Sequence, residues 1–362
     1  MGNSSGAGWR LVAPLVLALL LGAAPGAGPA PVSSSITTAG SAAPGSARVV
    51  DERWIRPGRE VDVTIASPAL QGRATARLLL PRGWSSGSAR RWPVLYLLHG
   101  CCERDAHRVW TRNTDVERLA ATYGVIVVMP PAGWAGFYSD WAHHGRGGAP
   151  RWEDFHLREL RRIVERDYGG GTRRAVAGLS MGGFGALSYA ARHPGMFAAA
   201  ASFSGVVHTL MDVRGPALTS GLVASGGDDP TALWGDPVLD RDVWAAHNPY
   251  DLVPRLGSIP LYLSSGDGAP GPLDRGAEAG ADLLEATIGA MNRRLLARLR
   301  AAGASVTAHL YGPGTHTWRY WRRELHRAFP MLMTAVGARR TTHATPSTLD
   351  PQEPRCVSAA VC

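Results

Sequence analysis

The sequence predicts an α/β fold: a mostly parallel central sheet with helices on both faces. Two observations carry this. Short, near-continuous apolar runs alternate with stretches of helical periodicity along residues 51–337. Strands covered on both faces need apolar residues at successive positions rather than at alternate ones. A Gly-x-Ser-x-Gly turn also joins one such run directly to a helix. That places a reactive side chain at the carboxyl end of a strand, where parallel sheets build their sites.

Strands are expected at 61–65, 75–80, 94–98, 125–129, 174–178, 198–203, 261–264 and 306–310. Helices are expected at 115–123, 152–168, 181–192, 277–302 and 318–336. In the fourth of these, Leu284, Ile288, Met291, Leu295 and Leu299 form one stripe at helical spacing, the pattern of a helix laid on a core. Strands and helices taken in turn mark a sheet built by crossovers. The segment 205–258 lacks such runs and is expected to be an irregular cap holding Trp234 and Trp244, with its Gly/Asp-rich stretch 225–229 the mobile part.

The ends read differently. Residues 1–10 are polar with one positive charge, 11–24 are apolar and leucine-rich, and small residues follow, with cleavage expected near Gly26. That is a secretory signal over about 1–30, its apolar run shorter than the ~20 residues that span a bilayer. Residues 31–50 are a low-complexity linker, 51–337 the catalytic domain, and 338–362 a flexible tail.

The 362 residues are 45% hydrophobic, enough for a sizeable core, and 19% charged, too few for a coiled coil. The net charge is +9 and all 38 basic residues are arginine. They are scattered rather than clustered beside aromatics, which excludes nucleic acid as the partner and leaves a peripheral attraction to anionic envelope surfaces. The four cysteines are too few for a disulfide scaffold or a zinc array. Cys101 and Cys102 are adjacent, without a C-x-x-C spacing or a nearby His pair, so no metal is expected. With Cys356 and Cys362 they allow three disulfide pairings in an exported protein, and the sequence does not choose among them.

The chemistry centres on Gly178-Leu179-Ser180-Met181-Gly182. Between a strand and a helix this is a nucleophile elbow, with Ser180 expected to sit exposed above the sheet. A serine hydroxyl needs a base, and in this chain order the base follows the last strand. His316 fits, in the turn-rich loop Gly312-Pro313-Gly314-Thr315-His316. An oxyanion hole needs two backbone N–H groups. Met181 supplies one, and Cys101, in the loop His99-Gly100-Cys101-Cys102 after the strand 94–98, supplies the other. For the acid, Asp267 stands at the end of the strand 261–264, while Glu285 reads from the residues alone as a charge at the solvent edge of a helix.

These residues together resemble the esterase family that includes the esterase D-like hydrolases and the antigen 85 mycolyltransferases, over about 94–332. The matching stretches are VLYLLHG, VIVVMPPAGWAGFYSDW, RWEDFHLREL, GLSMGGFGAL, LYLSSGDG and GTHTWRYW. FYSDW with the late GTH-x-W-x-YW points to the antigen 85 branch. The resemblance implies an α/β-hydrolase fold, Ser180 as nucleophile, His316 as base and Glu285 as acid, with Asp267 the alternative. It implies an enzyme on acyl esters, with water or an alcohol or sugar as acceptor and no cofactor or metal; with the signal, a secreted monomer is expected. Two alternatives stand beside hydrolysis: a lipid-forming acyltransferase, and a non-catalytic envelope-binding protein on a hydrolase scaffold. Mycolyltransferases carry an Asp before the oxyanion-loop glycine and an Arg shortly after it, both used on the trehalose acceptor. Here His99 and Cys102 stand at those positions, and the insert after FYSDW is replaced by the short, Gly-rich stretch 143–150. Trehalose mycolyl transfer is therefore not carried over. Phe137, Tyr138, Trp141 and Trp318 are candidates to wall an acyl pocket, although aromatic residues more often serve the core.

Overall fold

Apolar runs of the kind just described can be buried on both faces only if the sheet is sandwiched, and the computed structural model has that arrangement. It describes residues 46–142, 150–275 and 280–340. The expected signal, most of the linker, the tail beyond 340 with Cys356 and Cys362, and nearly all of 143–150 lie outside the described residues.

The strands are β1 (Arg48–Arg56), β2 (Glu60–Ser67), β3 (Gly72–Leu79), β4 (Trp92–Leu98), β5 (Ile126–Met129), β6 (Gly170–Leu179), β7 (Ala199–Phe203), β8 (Leu261–Ser265) and β9 (Val306–Leu310). They form one sheet in the order β1-β2-β3-β5-β4-β6-β7-β8-β9. The β1–β2, β2–β3 and β3–β5 pairings are antiparallel, and every pairing from β5 to β9 is parallel. All eight expected strands are present. The ninth, β1, starts at Arg48, inside the stretch expected to be linker. Its sequence RVVDERWIR is charged and mostly exposed, as an edge strand with little to bury must be.

Alternate residues of the central strands feed two cores. Val94, Tyr96 and Leu98 point into one, and Leu95 and Leu97 into the other. The helices on one face are α1 (Val109–Asn113), α2 (Val116–Ala121) and α10 (Trp318–Ala335). On the other lie α3 (Trp152–Asp154), a π-helical turn (Phe155–Leu160), α4 (Arg161–Asp167), α5 (Met181–Arg192) and α9 (Leu283–Ala301). The long helix begins at Leu283, later than the expected 277, because the Asp282 side chain accepts the Glu285 N–H and caps it there. The segment 205–258 is not irregular. It contains α6 (Arg214–Ala224), α7 (Thr231–Trp234) and α8 (Arg241–His247). Trp234 and Trp244 are fully buried and pack edge-to-face, which ties these short helices into the core on the α5 face of the sheet.

The antiparallel end of the sheet is held by charge. Arg53, Asp62 and Arg77 are direct cross-strand neighbours on β1, β2 and β3. Arg77 grips Asp62 at 2.7 and 3.1 Å and Glu60 at 2.7 Å, and Arg53 reaches Asp62 at 2.9 Å. Burial raises the Asp62 carboxyl, but hydrogen bonds from His107, Arg77 and Arg53 outweigh it and hold the group well below its ordinary range. A carboxyl with a lowered folded pKa stabilises the fold above its unfolded pKa of about 4, and that contribution drains away as the pH falls further. We expect Asp62→Ala to cost roughly 3 kcal/mol at neutral pH, because it leaves the buried Arg77 with one partner fewer. Denaturant titration at pH 7 and at pH 3 checks this: the gap between wild type and variant should narrow at the lower pH.

Candidate active site

The site is assembled by register. Leu179, Phe203, Ser264 and His309 are successive partners across β6, β7, β8 and β9. The next residues along the first three strands are Ser180, Ser204 and Ser265, so three hydroxyls line one edge of the sheet at its carboxyl end.

Ser180 follows β6 with φ 53° and ψ −121° and opens α5. Such backbone is costly for a residue with a side chain and persists only where the surroundings fix it. The Ser180 N–H donates to the Phe203 carbonyl at 2.9 Å, and its carbonyl accepts from Val206 at 3.2 Å. A Cβ on Gly178 would lie 2.1 Å from the Gly182 carbonyl oxygen. One on Gly182 would lie 2.4 Å from the Leu98 oxygen and 2.5 Å from that of His99. The motif's glycines are therefore demanded by backbone packed against backbone, and this packing presses the first turn of α5 onto the loop after β4. Ser180 is 2% exposed rather than open above the sheet, because the chain leaving β7 turns back over it at Val206.

The loop after β4 is itself fixed. His99 Nε2 accepts the Ala132 N–H at 2.8 Å, which leaves the ring proton on Nδ1, 2.5 Å from the Gly100 carbonyl. Burial lowers the His99 pKa to about 4, so the ring is neutral at physiological pH. Tyr138 donates to the His99 carbonyl at 2.9 Å. Cys101 and Cys102 are joined by a disulfide, and the Cys102 N–H is taken by the Trp134 carbonyl at 2.8 Å. With its N–H so engaged, Cys102 has no backbone donor to spare for a group bound at Ser180.

His316 is 5% exposed and Glu285 is fully buried. The imidazole Nδ1 lies 2.6 Å from Glu285 Oε2. The other carboxylate oxygen accepts from Ser204 Oγ at 2.8 Å, Ser265 Oγ at 3.0 Å and the Gly266 N–H at 2.6 Å. Asp282 ties both partners together: one of its oxygens accepts the Glu285 N–H at 3.0 Å and the other the His316 N–H at 2.8 Å. Trp321 lies edge-on to the His316 ring at 4.8 Å between centroids, and its indole N–H donates to Ser204 Oγ at 3.2 Å. Asp267 does not touch the histidine. Its backbone N–H donates to Gly312 and its carboxylate accepts the Ala269 N–H at 2.9 Å, as a turn residue.

Phe137, Tyr138 and Trp141 are buried. Phe137 packs edge-to-face on Phe184 and Trp234, and Tyr138 on Tyr189. They belong to the core rather than to an open pocket wall. Trp318 alone of the four candidates keeps exposed surface, packed at right angles to Trp110 and Trp321. Sequence reasoning missed Ser204, Ser265 and Asp282. Only Asp282 left a signal: an Asp three residues before a Glu at a helix start is a capping pattern.

This is the architecture of an α/β hydrolase, with a serine on a strained strand-to-helix elbow and a buried histidine–carboxylate pair at the same sheet edge. The chain belongs to the family described as putative esterase, whose model matches residues 67–332. It is 30% identical over 328 residues to the diacylglycerol acyltransferase/mycolyltransferase Ag85B of Mycobacterium leprae, covering 88% of this chain and 94% of that one. In structure it is similar to MPT51 of Mycobacterium tuberculosis, with a TM-score of 0.63 and 24% identity over 75% of this chain and 97% of that one. It is also similar to a ferulic acid esterase, with a TM-score of 0.59 and 23% identity over 77% and 98% of the two chains. Family membership makes this an enzyme of acyl esters, an esterase or acyltransferase.

Asp282 offers a test of how the pair is held. We expect Asp282→Ala to cost about 1–2 kcal/mol through loss of the helix cap. The downfield Nδ1 proton resonance of His316 should broaden as the loop loses its anchor, and Asp282→Asn, whose single acceptor oxygen can keep the cap but not also take the His316 N–H, should broaden it with a smaller loss of stability.

Proposed function

We propose that the protein is an exported serine hydrolase that cleaves carboxylic esters through Ser180, His316 and Glu285. The observation that carries this reading is the 2.6 Å contact between two buried groups, His316 and Glu285, at the sheet edge where the elbow ends. Ser180 Oγ attacks the ester carbonyl carbon while His316 Nε2 takes the hydroxyl proton. The oxyanion of the tetrahedral intermediate faces the Met181 and Cys101 N–H groups. Collapse expels the alcohol, which receives the proton from His316, and leaves an acyl-Ser180. Water then attacks the acyl carbon with His316 as base, the carboxylic acid departs, and the proton returns to Ser180. Glu285 faces the imidazole Nδ1 throughout. It holds the imidazole with Nδ1 protonated and balances the positive charge when Nε2 is protonated too. Export is supported by the apolar run 11–24 behind a short basic segment.

A second reading has one observation in its favour. The similarity to an acyltransferase extends over 88% of the chain, and an alcohol can replace water at the acyl-enzyme. The neutral His99 and the disulfide-bonded Cys102 present no charge to a sugar acceptor, so we do not propose trehalose as that alcohol. Incubating the enzyme with a p-nitrophenyl ester, with and without a long-chain alcohol or glycerol, separates the two. Free acid alone supports hydrolysis, and a new ester supports transfer. No turnover of any chain length, with the protein folded, would favour a non-catalytic envelope-binding role.

Ser180→Ala should abolish turnover while leaving the melting temperature within a few degrees of wild type, and a fluorophosphonate should label wild type at Ser180. Labelling elsewhere sinks the assignment. Glu285→Gln should lower kcat by a factor on the order of 10²–10⁴. Asp267→Asn should stay near wild type, since its carboxylate serves only its own turn. The reverse ranking would move the acid to Asp267.

A further inference from the structure

The mechanism above uses the Cys101 amide but gives no role to the disulfide beside it. That disulfide closes a small ring around the peptide bond between Cys101 and Cys102, so the backbone there cannot turn freely. Cys102 has φ 70°, a left-handed conformation that a residue with a side chain holds only when its neighbours impose it. The Cys102 N–H donates to the Trp134 carbonyl at 2.8 Å, and its sulfur lies 3.7 Å from Ser225 Oγ. Ser225 Oγ in turn accepts from the Trp134 indole at 2.9 Å and donates to the Leu222 carbonyl at 2.7 Å. A Cβ on the next residue, Gly226, would come within 2.9 Å of Trp134 Cδ1, so the backbone following α6 rests directly on the indole. On the other side His99 anchors Gly100. The loop is thus moored to the stretch after β5 through His99, which accepts the Ala132 N–H, and to the segment after α6 through Cys102, with Cys101 between them. Cys101 is fully buried while Cys102 keeps some exposure, so a thiol reaches the Cys102 sulfur first.

We propose that the Cys101–Cys102 disulfide is a thiol-sensitive positioning element of the oxyanion hole. Closed, it holds the Cys101 N–H toward the carbonyl oxygen under attack. Opened, it lets the amide swing away and turnover falls. The proposal rests on the assignment of the Cys101 amide made above. The switching step needs a dithiol reductant. One thiolate of the dithiol attacks Cys102 Sγ, the bond to Cys101 Sγ breaks, and Cys101 leaves as a thiolate that takes a proton. The second thiol of the reductant then attacks its own sulfur in the mixed disulfide and releases Cys102. The protein gains two electrons and two protons, and the dithiol becomes a cyclic disulfide.

The test uses the full chain carrying Cys356→Ser and Cys362→Ser, so that only this pair can respond. The protein is reduced with dithiothreitol, desalted without oxygen, and its thiols are counted by mass spectrometry. We expect kcat for p-nitrophenyl butyrate to fall by about tenfold or more, toward the ~10²–10³ loss seen when an oxyanion donor is removed. KM and melting temperature should change little, and reoxidation should restore the rate. Binding of a trifluoromethyl ketone, whose adduct places an oxyanion in the hole, should weaken by a similar factor. Cys101→Ser/Cys102→Ser should reproduce both losses. A fully reduced protein with unchanged kcat overturns the proposal, as does a rate loss that merely follows unfolding. An oxidised enzyme that a fluorophosphonate fails to label at Ser180 overturns the site assignment instead, a result distinct from either.

Discussion

One carboxylate organises this half of the molecule. Glu285 is fully buried, and an ionised carboxylate out of water is costly unless donors replace its hydration. Its four donors come from three places: Ser204 after β7, Ser265 and Gly266 at the end of β8, and His316 in the loop after β9. Each can reach it only if the strands keep their register and α9 starts where Asp282 caps it. Fixing one charge therefore fixes three strand ends, a helix start and a long loop together. Trp321 extends the arrangement into α10 by donating to Ser204.

The elbow imposes the complementary constraint. Where Glu285 demands donors, Gly178 and Gly182 demand the absence of side chains, because the first turn of α5 lies against the Leu98 and His99 carbonyls. The same contact sets the Met181 amide beside the loop that carries Cys101. A positive φ at Ser180 is tolerated because both its backbone groups are engaged, by Phe203 and by Val206. The strain is thus balanced by the β7 end and by the segment that folds back over the serine, which also removes the hydroxyl from bulk water.

Much of this was legible in the sequence. The central strands could be found because burial on both faces writes itself as continuous apolar residues, and the elbow because its glycines leave a fixed spacing. Edge strand β1 was not, since an exposed ladder needs no apolar pattern and RVVDERWIR reads as polar chain. The α6–α8 segment was not, since helices of a few turns packed through Trp234 and Trp244 carry too little periodicity to register. Ser204 and Ser265 could not be recognised one at a time. They matter only through the register that sets Phe203 beside Ser264, and register belongs to the sheet rather than to any single strand. Glu285 shows the same limit: its helix position reads as solvent edge until the loop bearing His316 is folded over it.

On the proposed reading, the loop after β4 is where acceptor chemistry would be set. Both nitrogens of His99 are committed, to Ala132 and to Gly100, and burial keeps the ring neutral. It is spent on holding the loop and has no nitrogen left for an incoming hydroxyl. Cys102 is likewise occupied, by its disulfide and by Trp134. Neither residue offers the charged, directional contact by which a site grips a sugar. In the proposed mechanism, choice between water and an alcohol at the acyl-enzyme would then fall to shape and apolar contact, where Trp318 is the aromatic candidate with surface to offer. Discrimination of that kind is worth only about 1–3 kcal/mol for each methylene a pocket accepts or refuses. On the reading proposed above, an enzyme built this way would sort esters by the bulk of their acyl and alcohol parts, with a graded preference rather than a single required acceptor.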